Sequence, residues 1–142
     1  MPRFFHWSCA EITSCMAANA RHNSKWTNWF NSIIWIDLCK IFQNEPIVVN
    51  GALSFKLKDV AKNMYKHGMI KTTWKEDGIS DGLTAMIDAI DYYKGNKSYD
   101  STRNLDIMND NEHNKIDSIR IYNEVDCKVM WDIVRYLREN HI

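Results

Sequence analysis

The sequence predicts an α/β fold in which a short central sheet is covered by helices. Three observations carry this. The run IIWID, residues 33–37, is β-branched and aromatic and is closed by an acid, as a buried strand is. The run FFHW, residues 4–7, is a second short aromatic stretch of the same kind. The remaining long segments repeat apolar residues three and four apart, the period of a helix.

FFHW reads as a strand that begins almost at the first residue. EITSCMAANARH follows as a helix, with Ile12, Met16 and Ala20 on one face. Glu11 falls near its start, where the helix dipole favours negative charge. NSKWTNWFNS is a polar-aromatic connection or a second short helix. IIWID is the clearest strand, and LCKIF continues it as a turn of helix. Pro46 breaks the pattern, and IVV (47–49) is a short extended piece.

SFKLKDVAKNMYKHG is a well-marked helix. Ser54 is its expected cap, Leu57, Val60, Ala61 and Met64 form its apolar face, and Gly68 stops it. MIKTTW reads as extended, and KEDGISDG as a polar loop. Ser80 is placed to cap the helix LTAMIDAIDYY, which Gly95 ends; its apolar face is Leu83, Met86, Ile87 and Ile90. Residues 96–115 are Asn/Asp-rich and without a period, which predicts a surface loop or mobile insertion. The last helix is expected over Ile116–Arg138, with Ile119, Tyr122, Asp126, Met130, Ile133 and Leu137 roughly on one face. Only two or three strands are convincing, fewer than a central sheet usually has. Either the fold is mostly helical or part of the sheet lies elsewhere.

The length of 142 residues suits a single domain spanning 1–142, with a core that needs no staples. A formal net charge of +0 excludes a broad basic field, so any nucleic-acid site must be local or metal-assisted. It also leaves little repulsion between copies, so self-association is open. The four cysteines, Cys9, Cys15, Cys39 and Cys127, have neither C-x-x-C nor zinc-finger spacing and are expected to be reduced and mostly buried. MPRFFHW is basic and apolar, but Glu11 interrupts it before a secretory core develops. With no apolar run of membrane-spanning length, the expectation is an intracellular protein of cytoplasm or nucleus, with no membrane partner. The Asn/Ile/Lys-rich style is that of AT-rich coding, as in some large viruses or protists. Trp7 and Trp35 suit a core; Trp26, Trp29 and Trp74 could instead meet a partner or stack on bases.

The stretch YNEVD in the last helix poses a chemical question. Asp126 lies four residues beyond Tyr122, so the two share a face. They must look together at one object, either a metal-bound phosphate or a polar gap in a core.

YNEVD resembles the third motif, Y-x-x-x-D, of the ribonuclease-H-like 3′–5′ exonucleases with four acidic residues and a tyrosine. The wider layout is similar to one branch of that superfamily, predicted nucleases found beside helicases or RecB-like nucleases. The matching pieces are FHWSCAE, IIWIDL, LSFKLKDVA, DGLTAMIDA and IYNEVDCKVM, which run in order along nearly the whole chain. The resemblance implies a partial ribonuclease-H-like fold and a metal-dependent exonuclease acting on nucleic acid, with single-stranded ends as substrate. In that family two Mg²⁺ or Mn²⁺ ions, about 4 Å apart, activate a water and stabilise the leaving oxygen. Glu11 then takes the second-motif acid, Asp126 the third-motif acid, and Tyr122 the tyrosine that orients the water. Asp37 sits at the Asp-Leu position as a further metal ligand. Each also has a plainer use: Glu11 as a helix-start acid, Asp37 as a strand end, Tyr122 as a boundary tyrosine, Asp126 on a solvated face.

The first motif, Asp-x-Glu on a strand preceding FFHW, has no counterpart here. The expectation is therefore a domain whose N-terminal strands are missing or supplied in trans, with hydrolysis impaired in the isolated chain. The alternative is an inactive nuclease-like fold kept as a structural or protein-binding subunit. Both predict an exposed sheet edge that takes a partner chain or a second copy.

Overall fold

The computed structural model of the chain describes residues 2–45, 47–75, 82–95 and 110–141. Among these the elements are β1 (Arg3–His6), α1 (Ala10–Arg21), α2 (Thr27–Asn31), β2 (Ile34–Asp37), α3 (Leu38–Asn44), α4 (Leu57–Lys66), α5 (Gly82–Gly95) and α6 (Asp110–Asn140). β1 and β2 pair in parallel, from Arg3 opposite Ile34 to His6 opposite Asp37. Parallel neighbours need a crossover, and α1 and α2 supply it. The result is a mixed α/β fold with a two-stranded parallel sheet and flanking helices. The chain divides into two compact units, Met1–Lys71 with Met130–Ile142, and Thr72–Val129.

In the first unit the period of two along each strand sets an aromatic layer. Phe4 and His6 of β1 share a face with Trp35 of β2, with ring centroids 5.7 and 5.9 Å away. The crossover closes this layer. Trp29 meets Phe4 edge-on at 6.3 Å, and Phe30 lies 5.2 Å from Trp35. The buried Trp35 Nε1 has no hydrogen-bond partner among the described residues.

α3 starts directly at the end of β2 because Asp37 is its N-cap, its carboxylate accepting from Lys40 N at 3.3 Å. It buries Leu38, Cys39 and Phe42. α4 buries Val60, Ala61 and Met64, the face its periodicity predicts. Gly68 ends that segment with φ +70°, a left-handed conformation that glycine adopts without a Cβ penalty.

The cap of α4 differs from expectation. Lys56 is the N-cap and makes no side-chain cap bond; Ser54 Oγ accepts from Lys56 N at 3.3 Å instead. The first-turn acid Asp59 reaches back to Leu53 N at 2.9 Å and Ser54 N at 2.6 Å. A carboxylate accepts amide hydrogen bonds more strongly than a hydroxyl, so the acid rather than the serine organises the turn.

Other expectations need correction. α1 buries no residue, and Met16 on its predicted apolar face is exposed. Leu83, Met86, Ile87 and Ile90 of α5 are likewise exposed, Leu83 by 62%, while Ala85 is the buried position. The small Ala85 is buried, and the larger apolar stripe is left exposed. α6 begins at Asp110, so the end of the predicted loop 96–115 is helical; residues 96–109, Pro46 and Ser80 lie outside the described residues. MIKTTW and IVV form no strand. Of the cysteines only Cys39 is buried, and all four are free.

Candidate functional site

Because β1 and β2 are parallel, their carboxyl ends lie on the same edge, where open α/β sheets gather their ligands. His6, Trp7 and Ser8 leave β1 there, and Asp37 and Cys39 leave β2. Asp37 Oδ1 accepts from Ser8 N at 3.0 Å as well as from Lys40 N, tying the exit of β1 to the start of α3. Ser8 has φ +65°, a conformation that costs a non-glycine residue roughly 1–2 kcal/mol. The Asp37 bond helps hold it, as does His6, which is buried and donates from Nδ1 to the Ser8 carbonyl. Glu11 is exposed in the first turn of α1.

Beside this edge lies a cleft of about 520 Å³ lined by Trp7, Ser8, Cys39, Gln43, Phe55 and Lys56, among others. Trp7 Nε1 donates to the Phe55 carbonyl at 2.8 Å, which fixes the indole as a wall. Cys39 Sγ approaches the same carbonyl at 3.5 Å. Burial pushes the Cys39 thiol up, and the neighbouring Asp37 carboxylate adds to the rise. The group stays protonated and weakly nucleophilic at neutral pH. At pH 8 iodoacetamide is expected to label Cys9, Cys15 and Cys127 at least tenfold faster than Cys39, as read by peptide mass spectrometry. Equal rates would show that Cys39 is neither buried nor shifted.

In the second unit Asp126 of YNEVD has a defined partner. Asp126 Oδ1 accepts from the indole Nε1 of the buried Trp74 at 2.7 Å. A buried indole N–H requires an acceptor, and the acid one turn beyond Tyr122 supplies it. Tyr122 is half-buried. Trp74 was legible only as an aromatic of open role; its partnership with Asp126 spans 52 residues of sequence and leaves no local signal.

Asp132 was missed altogether. It is 8% exposed and accepts from Lys71 N at 3.1 Å and from Arg135 Nη2 at 3.3 Å. The available signal was an acid set inside the apolar run VMWDIV. A buried acid of that kind must have donors aimed at it.

Glu11 and Asp37 belong to the first unit, Tyr122 and Asp126 to the second. Among the described residues no group of three or more His, Cys, Asp or Glu side chains is arranged to hold an ion. Mg²⁺ needs near-octahedral oxygen ligands, and Asp37 and Asp126 each direct an oxygen to protein N–H donors instead. Among the described residues no helix is long and apolar enough to cross a membrane.

The fold and this edge define a mixed α/β protein built on a parallel strand–helix–strand unit. No protein-family model, curated protein or solved structure compared with the chain matches it.

Proposed function

We propose that the chain is a ribonuclease-H-like, exonuclease-type domain that serves as a structural or protein-binding subunit rather than as a self-sufficient hydrolase. The observation that carries this is the engagement of its two best candidate acids. Asp37 holds the amides of Ser8 and Lys40, and Asp126 holds the Trp74 indole. Carboxylates used in this way stabilise strand exits and a buried aromatic, which a scaffold needs and a two-ion site does not.

The test is digestion of 5′-labelled single-stranded DNA in Mn²⁺, comparing the native chain with Asp126→Asn. Both are expected to leave the DNA at the level of a buffer control. Digestion by the native chain that falls at least a hundredfold in the variant overturns this role and establishes the exonuclease. That second reading, a Mg²⁺- or Mn²⁺-dependent 3′–5′ exonuclease, is favoured by one placement. Glu11 and Asp37 both follow the carboxyl ends of a parallel strand pair.

A further inference from the structure

The two-stranded sheet leaves a specific row of backbone groups open. Ile34 N donates to Pro2 O at 3.0 Å, which fixes the phase of the ladder. In a parallel pair alternate residues turn both peptide groups to the neighbour. With Arg3 opposite Ile34, the peptide groups of Phe4 and His6 face β2, and those of Arg3 and Phe5 face away. Among the described residues no backbone or side-chain group pairs with the outward N–H or C=O of Arg3 or Phe5. The opposite edge is shorter in donors and acceptors, because Asp37 already begins α3 and its carbonyl enters the first helical turn.

From the binding-subunit role proposed above, on which it rests, we infer that the outer edge of β1 is occupied by β1 of a second copy in an antiparallel, two-fold arrangement. The occupant must be an extended strand, since only that backbone repeats a donor and an acceptor every second residue, about 6.6 Å apart. β1 is complementary to itself in one register. A two-fold axis at Phe4 sets Arg3 opposite Phe5 of the second copy and Phe5 opposite Arg3 of the second copy. All four outward N–H and C=O groups of each strand are then paired.

The side chains agree with this register. Phe4 is 41% exposed, and on the axis it would meet Phe4 of the second copy in a non-hydrogen-bonded pair, where side chains approach most closely. Arg3 is set opposite Phe5 rather than opposite another arginine. The Arg138 guanidinium already lies 5.8 Å over the Phe5 ring, leaving the Phe5 peptide groups rather than its ring to make the contact. A net charge of +0 adds no long-range repulsion between copies. A four-residue edge buries less than the roughly 1,200 Å² of a standard interface, so the dimer is a weak one.

Sedimentation velocity of the full chain between about 1 and 100 μM tests this, a range that spans weak association. The native chain is expected to move from monomer to dimer across it. Phe4→Lys sets two cations on the axis and should weaken dimerisation at least tenfold. Arg3→Pro removes one outward N–H at the first strand position, where proline keeps the inner ladder intact, and should do the same. Unchanged far-UV circular dichroism in either variant excludes unfolding as the cause. A native chain that stays monomeric to 100 μM, or a dimer equally strong in both variants, overturns the inference. A monomer that leaves DNA intact would end the dimer without touching the subunit role. A dimer whose digestion of DNA depends on Asp126 would end that role and retain the dimer.

Discussion

Phe42→Ala is expected to remove about 3–5 kcal/mol of unfolding free energy, the range for deleting a buried aromatic ring. Phe42 is fully buried on α3, and Leu38, one turn earlier on the same face, is nearly so. Its ring lies 5.4 Å from Trp7 at a 48° tilt, so it joins the exit of β1 to the helix that follows β2. The Phe42 carbonyl also accepts from Ile47 N at 2.9 Å, which holds the backbone in place and limits collapse into the cavity. Domains of this size are stable by roughly 5–15 kcal/mol, so a loss of about 3–5 kcal/mol would be a fifth or more of the whole. Urea titration followed by far-UV circular dichroism measures it. A loss below 1 kcal/mol would place Phe42 outside the core.

Asp132→Ala should be the most damaging change to a charged residue, at about 2–3 kcal/mol, because hydrogen bonds to a charged group are among the stronger ones. The Lys71 amide loses its acceptor and the side chain of Arg135 loses its ion pair. Arg135 is partly exposed, so its guanidinium returns to water, and most of the loss belongs to the Lys71 bond. Asp132→Asn keeps an oxygen toward that amide and should cost about 1 kcal/mol. Urea midpoints of the two variants provide the comparison. Equal costs would assign the effect to charge, and no cost in either would remove Asp132 from the fold's support.

The strands and the short helices were legible because their cues are local. IIWID carries β-branched and aromatic residues, SFKLKDVAKNMYKHG carries a clean helical period, and both elements stand where they were expected. α5 misled for a physical reason. Its period is clear, but a periodic apolar face shows only which residues could be buried together, and here Ala85 is buried instead. The candidate site was legible in part. The sequence singled out Asp37 and Asp126 as unusual acids, and both do hold specific donors. What it could not supply was the identity of those donors, Ser8 lying 29 residues away and Trp74 lying 52. The roles implied by a motif depend on a third and fourth group in space, and spacing along the chain does not encode that.

The parallel pairing of β1 with β2 also bears on the order of folding. Arg3 must find Ile34 across the whole of α1 and α2, and closing a loop of that length costs entropy before any ladder bond repays it. α4, made of contacts a few residues apart, faces no such delay. The sheet should therefore be a late event in refolding, with helical signal appearing before the tryptophan environment of the strands settles.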